Sequence, residues 1–198
     1  MNVVVINYKG GNVLSVINAL HRIGVEAMLS NDIETIKKAD KVIFPGQSEA
    51  LMTMNFLKET KLDQVLQTLT QPFLGICIGL QILGARSEEK NTACLNILDG
   101  EVVKRFFVED DSRLKIPHMG WNNVLHTKSE LFQNIPENSY FYFVHSFYMP
   151  VNQYTIAETD YINCFSAAIK KDNFYATQFH PEKSGKCGEQ LLKNFIEL

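Results

Sequence analysis

The chain has 198 residues, enough for one domain with a sizeable apolar core. It is 45% hydrophobic and 21% charged, with a formal net charge of -3, so it offers no basic field and nucleic acid is excluded as its main partner. The longest apolar runs, Val3–Ile6 and Phe73–Ile78, are far too short to span a bilayer, and Met1-Asn2-Val3 lacks the basic start and apolar core of a signal peptide, so a cytosolic location is expected.

The first half reads as alternating strands and helices. Val3–Ile6 predicts a strand, closed by the turn-forming stretch Asn7-Tyr8-Lys9-Gly10-Gly11-Asn12. Val13, Val16, Ile17 and Leu20 recur at helical spacing, and Gly24 stops that helix. Val25 to Leu29 predicts a second strand and Lys41 to Phe44 a third, ended by Pro45-Gly46. Helical patterns follow to about Thr70. After the Gln71-Pro72 break, Phe73–Ile76 is a fourth apolar run, with a helix expected beyond Cys77 from Leu80, Ile82, Leu83 and Ala85. Such alternation predicts an α/β fold with a mostly parallel sheet covered on both faces. The second half changes character. Residues 102–108, 123–126, 139–148, 164–169 and 174–179 predict strands with few helices between them, expected as antiparallel additions to the same sheet or its edge. A helix is expected over 189–198. No linker or repeat divides the chain, which is read as a single domain, 1–198.

The four cysteines are Cys77, Cys94, Cys164 and Cys187. None belongs to a Cys-x-x-Cys pair or stands beside a His at metal-ligand spacing, so free thiols and no metal are expected. Cys77 stands apart. Its surroundings, Phe73-Leu74-Gly75-Ile76-Cys77-Ile78-Gly79, combine strand, Gly-x-Cys-x-Gly and helix, the cysteine version of a nucleophile elbow. The turn is tight, so its neighbours must be small, and the following helix turns its first amides toward the sulfur. Chance would place the pattern in a chain of this composition roughly 0.01 times.

A thiolate that must later protonate a leaving amine needs an imidazole. Of the five histidines, His180 ends the run Phe174–Phe179 and is followed by Pro181, which cannot continue a central strand. Glu182, two residues on, can fix its tautomer, as a triad carboxylate does. His21 and His126 are read as surface groups, and His118 and His145 as packing or hydrogen-bonding groups.

Together, Gly75-Ile76-Cys77-Ile78-Gly79-Leu80-Gln81 and Gln178-Phe179-His180-Pro181-Glu182 resemble the triad-type (class I) glutamine amidotransferases. Lys115-Ile116-Pro117-His118-Met119-Gly120-Trp121-Asn122 and Tyr142-Phe143-Val144-His145-Ser146-Phe147-Tyr148 are similar to the glutaminase branch that serves imidazole glycerol phosphate synthases in histidine biosynthesis. The opening turn and Glu182-Lys183-Ser184-Gly185 fit as well, so the resemblance covers the whole chain. It implies a flavodoxin-like fold and hydrolysis of L-glutamine through a Cys77 thioester. His180 is then the general acid/base, Glu182 its orienter, and no cofactor is needed. Gln81, Gly46 and the backbone of Ser146 and Phe147 are implied to hold glutamine, and Gly46, Gln47 and Ile78 to form the oxyanion hole. The loop Pro45-Gly46-Gln47-Ser48 departs from the family: glycine is usual where Ser48 stands, and a small apolar residue where Gln47 stands. A serine there stiffens the peptide flip that turns an amide toward the oxyanion.

The resemblance also implies a subunit interface at Asn12, Trp121, Tyr142 and Lys183. Ammonia in neutral water is mostly protonated, so the chemistry favours delivery through a closed path into an acceptor enzyme. No P-loop or Rossmann fingerprint is present, and the acceptor site is expected on a partner chain, a (β/α)8-barrel cyclase in a heterodimer. The alternatives are a paralogue feeding a surface-sugar amidination system, a non-enzymatic binding module with an unreactive Cys77, and a cysteine peptidase.

Overall fold

The structure is a computed structural model and describes residues 1–8, 12–108, 114–125 and 127–198. In chain order the first half forms β1 (Val3–Ile6), α1 (Val13–Arg22), β2 (Ala27–Ser30), α2 (Ile33–Lys37), β3 (Lys41–Phe44), α3 (Ala50–Glu59), α4 (Leu62–Gln67), β4 (Phe73–Ile76) and α5 (Ile78–Gln81). The second half forms β5 (Arg86–Ser87), β6 (Thr92–Ala93), β7 (Val102–Arg105), β8 (His118–Asn123), β9 (Tyr140–His145), β10 (Phe147–Tyr148), β11 (Thr155–Asp160), β12 (Cys164–Lys171), β13 (Phe174–Thr177) and α6 (Gly185–Glu197).

The main sheet has seven strands in the order β11-β12-β13-β4-β3-β1-β2. From β13 to β2 every pairing is parallel, and β12 and β11 add on antiparallel. β1, β3, β4 and β13 are buried at all four positions, which is why they read as unbroken apolar runs rather than as alternation. Alternate side chains leave opposite faces of the sheet. Val3, Val5, Ile43 and Leu74 pack with Val16 and Leu20 of α1 and with Leu191, Leu192 and Phe195 of α6. Val4, Ile6, Val42, Phe44 and Phe73 pack with Met54 and Leu57 of α3 and Leu62 and Leu66 of α4. Two cores, one on each face, thus hold the carboxyl ends of β3, β4 and β13 in one row.

The antiparallel part departs from the expectation of a single sheet. β10, β7, β5 and β6 form a separate four-stranded sheet, and β8 and β9 form a two-stranded ribbon. The strand expected over 139–148 is broken at Ser146, so β9 and β10 serve different sheets. The strand expected over 123–126 lies earlier, as β8, with Leu125 only bridging to Glu158. His126 lies outside the described residues, as do Lys9, Gly10 and Gly11 of the opening turn. The strand from Val102 stops at Arg105, and β11 falls where no strand is expected. α5 is one turn long rather than reaching Ala85, because the carbonyls of Ile82 and Leu83 accept from the amides of Leu95 and Leu98 at 2.9 and 2.8 Å. α6 starts at Gly185, four residues ahead of the expected position. No helix among the described residues is long and apolar enough to cross a membrane.

Candidate active site

Cys77 joins β4 to α5 with φ +51°, a left-handed conformation that an L residue adopts only where its surroundings hold it. Its amide donates to the Thr177 carbonyl at 2.7 Å, which ties the elbow to the end of β13. The flanking glycines are required by space. A Cβ on Gly75 would stand 2.4 Å from the Gly79 oxygen, and one on Gly79 would stand 2.8 Å from the Phe44 oxygen. Gly46 is the tightest of the three: its Cβ would fall 1.8 Å from the Ile76 oxygen and 2.8 Å from the Ile78 nitrogen. The loop after β3 is therefore pressed onto the backbone on both sides of Cys77.

His180 follows β13 with no solvent exposure, and its Nδ1 lies 2.8 Å from Glu182 Oε1. A carboxylate only accepts, so Nδ1 carries the hydrogen; Nε2 is buried without a hydrogen-bond partner, which leaves it for the sulfur. Burial pushes the imidazole toward its neutral form. The charge of the neighbouring Cys77 sulfur and the bond and charge of Glu182 outweigh it and raise the His180 pKa to about 10. The helix after the elbow, at one turn, supplies less dipole than the sequence implied; the imidazole is the charged neighbour of the sulfur.

Beside Cys77 opens a cavity of about 320 Å³ lined by Gln47, Ser48, Gln81, Glu89, Ser146 and Phe147, among others. Of the nine implied residues, Cys77, Gln47, Gln81, Ser146 and Phe147 line it, Gly46 and Ile78 adjoin Cys77 through the backbone, and His180, joined to Glu182, neighbours the sulfur. Gln81 Nε2 donates to the Phe147 carbonyl at 2.9 Å and to Gln178 Oε1 at 3.2 Å, which uses both of its hydrogens and leaves Oε1 to accept.

Three residues of this site carried no role in the sequence reading. Gln178 is fully buried and its Nε2 donates to the Cys77 sulfur at 3.5 Å. Its signal was parity, since a residue two before His180 in an extended segment shares its side. Glu89 lines the cavity, and no local pattern marked it. Burial is the main cause of its raised pKa, opposed by the Ala50 amide and reinforced by Glu49. Tyr8 stacks on Phe44 with centroids 4.8 Å apart and donates to the Pro45 carbonyl at 2.9 Å, bracing the Gly46–Ser48 loop. Burial and then the charge of Cys77 push its phenol far up, so it stays protonated. Among the described residues, no three His, Cys, Asp or Glu side chains gather as they would around a metal ion.

Three of the residues implied to face a partner form one cluster beside the His180–Glu182 turn. Trp121 and Tyr142 are a cross-strand pair of β8 and β9 with ring centroids 6.1 Å apart, and Trp121 is 55% exposed. Lys183 Nζ stands 5.9 Å from the Tyr142 ring centre. Two bonds of the Tyr142 backbone join this cluster to the His180 turn: the His180 amide donates to the Tyr142 carbonyl at 2.9 Å, and the Tyr142 amide donates to the Ser184 hydroxyl at 3.0 Å. Asn12 precedes α1, whose helix packs against the Pro181–Lys183 turn. The other cysteines are free thiols away from the elbow: Cys94 is partly buried with its pKa pushed up to about 11 by burial, Cys164 is exposed, and Cys187 is partly buried.

Comparison with known proteins accords with this geometry. Residues 4–198 match the family described as glutamine amidotransferase class-I. The chain is 54% identical over 198 residues to imidazole glycerol phosphate synthase subunit HisH of Bacteroides thetaiotaomicron, covering all of both chains. It is 46% identical over 200 residues to the proteins of the same name from Salmonella typhimurium and Escherichia coli, again covering all of each. Among solved structures it resembles a glutamine amidotransferase at TM-score 0.74 and 16% identity, over 98% of this chain and 97% of the other. It also resembles a glutamine amidotransferase of Thermotoga maritima at TM-score 0.62 and 15% identity, over 100% and 83%. At these identities the two structures speak for the fold.

Proposed function

The chain belongs to the class-I glutamine amidotransferase family, and from that premise we propose that Cys77, His180 and Glu182 hydrolyse L-glutamine and that the ammonia passes to a cyclase on a partner chain, in histidine biosynthesis. The observation that carries this reading is the buried His180–Glu182 pair beside Cys77, which itself opens onto a cavity lined by Gln47, Gln81, Glu89 and Ser146. The Cys77 sulfur attacks the side-chain amide carbon of glutamine. Negative charge develops on the former carbonyl oxygen, for which the amides of Ile78 and Gln47 are the proposed donors, the Gln47 amide having first to leave the Tyr8 hydroxyl it bonds here. His180 Nε2 gives its proton to the amide nitrogen, the C–N bond breaks, and ammonia leaves a glutamyl thioester on Cys77. Water attacks the thioester, His180 takes its proton, and glutamate leaves as the sulfur is restored. The net change is glutamine plus water to glutamate plus ammonia. Glu182 holds the imidazole in one tautomer through both halves.

Substrate recognition follows from the free valences. Gln81 has only Oε1 to offer, and Glu89 is a carboxylate in the same cavity; both accept, which suits the α-ammonium of glutamine. Gly46, the backbone of Ser146 and the amide of Phe147 complete the pocket, the Phe147 carbonyl being taken by His145 and Gln81. Relatives at 54% and 46% identity over their full length carry the name of a synthase subunit, which supports a partner and disfavours a surface-sugar pathway. The partner we propose is a (β/α)8-barrel cyclase docked on Asn12, Trp121, Tyr142 and Lys183. The test is glutamate release by the chain alone and with the cyclase and its nucleotide ligand, with Cys77→Ala as control. Strong stimulation that vanishes in Cys77→Ala is expected. Equal rates with and without the cyclase would refute the coupling, and cleavage of peptides in place of glutamine would refute the substrate.

A further inference from the structure

The proposed triad uses one histidine, yet two more lie buried nearby, and one of them, His145, lines the same cavity as Cys77. His118 and His145 face each other across β8 and β9, with His118 Nδ1 3.0 Å from His145 Nε2. They are 3% and 5% exposed. His118 is stacked between Phe143 and Tyr161, at 4.8 and 4.0 Å between centroids. Partners fix the direction of every hydrogen. His145 Nδ1 lies 2.8 Å from the Phe147 carbonyl, which can only accept, so Nδ1 donates and Nε2 accepts. His118 Nδ1 must then donate, leaving its Nε2 toward the Asn122 amide at 3.4 Å. Asn122 is itself tied to the Asp160 carbonyl at 2.9 Å. Burial holds both rings neutral at physiological pH, with pKa values pushed down to about 4 for His118 and about 3 for His145. At His145 the Phe147 bond opposes the shift, and the charges of His118 and His180 add to it.

The far end of this hydrogen-bond chain is the catalytic cavity. The Phe147 carbonyl accepts from His145 and from Gln81, so both of its lone pairs are used and it cannot itself bind substrate. Gln81 continues to Gln178, and Gln178 to the Cys77 sulfur. The near end is a separate surface cavity of about 280 Å³, lined by His118 with Trp121, Asn122 and Tyr161. The two imidazoles therefore form the wall between an outer cavity and the inner one.

We propose that His118 and His145 are positioning residues, a singly oriented hydrogen-bond relay that sets the Phe147 carbonyl and Gln81 from the exposed face of β8. Displacing β8 at Trp121 or Asn122 then shifts the floor of the inner pocket without touching Cys77. The kinetic part of this inference rests on glutamine being the substrate; the tautomer part does not.

Three variants and one spectrum decide it. His118→Phe keeps the stack but leaves His145 Nε2 without its donor. His118→Asn restores a donor near the Nδ1 position. With L-glutamine bound to a Cys77→Ala background, His118→Phe is expected to raise Kd about five-fold or more, the effect of one buried bond left unmade, and His118→Asn to restore most of it. Nitrogen-15 NMR of the full chain should show both rings as the Nδ1–H tautomer, unchanged between pH 5 and 8. A folded His118→Phe protein with unaltered glutamine affinity overturns the positioning role. An Nε2–H tautomer at either ring overturns the relay. If Cys77→Ala fails to bind glutamine at all, the substrate reading falls, and the spectrum alone then decides the relay.

Discussion

Gln178 Nε2 donates to the Cys77 sulfur at 3.5 Å from a side chain with no solvent exposure, while its Oε1 accepts from Gln81. One amide thus links the nucleophile to the residue expected to grip the substrate. Gln178→Leu keeps much of the volume and removes both bonds. It is expected to lower kcat/KM about tenfold or more, with the loss shared between kcat and KM because both partners move. Steady-state kinetics with the partner present checks this; a change in KM alone would show that the bond to sulfur contributes nothing.

The pKa of His180, about 10, lies above the ordinary value of 6.5 for an unfolded chain. The folded protein therefore binds the extra proton. The stability this contributes is complete below pH 6.5, falls as pH rises from there, and is lost by about pH 10. Cys77→Ala removes the largest of the influences that raise it, so His180 should titrate at lower pH in that variant. NMR titration of the His180 ring checks this, and an unmoved midpoint would show that the sulfur does not act on the imidazole.

Gly46→Ala places a methyl 1.8 Å from the Ile76 oxygen. Backbone stands in the way rather than a flexible side chain, so the elbow or the loop must move. The expected result is a destabilisation of about 1–3 kcal/mol and loss of most glutaminase activity. Thermal unfolding and glutamate release measure the two effects; a variant with normal activity would show that the loop's fit against the elbow is dispensable.

Ser48→Gly restores the residue usual in the family at the loop that Tyr8 braces through Pro45. Freer backbone torsions there are expected to raise glutamine hydrolysis by the chain alone, and to narrow the stimulation produced by the cyclase. Rates measured with and without the cyclase test this. No change in either would mean that residue 48 does not gate the oxyanion hole.

Trp121 is 55% exposed and touches Tyr142 edge-on. Trp121→Ala should leave thermal stability nearly unchanged, within about 0.5 kcal/mol, as for most surface changes. Its effect belongs to the partner: the Kd for the cyclase should rise roughly 30-fold, the size of an aromatic hot spot. Titration of the two chains decides, and an unaltered Kd would remove this face from the interface.

How much was legible before the structure depended on the range of each interaction. The elbow announces itself because Gly75, Cys77 and Gly79 act on one turn, and His180 and Glu182 are joined across two residues. β1, β3 and β4 are legible because burial on both faces leaves an unbroken apolar run. β8 was not: Met119, Gly120, Trp121 and Asn122 break that pattern, and its residues pair with β9 across 17 to 27 positions. β11 lies at the sheet edge with polar side chains, Glu158 and Asp160 among them, and its strand character comes from pairing with β12.

The sequence by itself determined the Gly-x-Cys-x-Gly elbow at Cys77, the His180–Glu182 pair and the parallel half of the sheet, since local spacing and burial pattern dictate them. Tertiary structure alone decided that Gln178 reaches Cys77, that Phe147 is held by His145 and Gln81, and that Trp121, Tyr142 and Lys183 form one cluster. Those pairs are joined across 101, 2, 66, 21 and 41 positions. Even the shortest of them depends on a turn at Ser146 that sends β9 and β10 to different sheets. Hydrogen bonds and ring contacts are specified by direction and distance in space, which a chain acquires only when its strands have found their order.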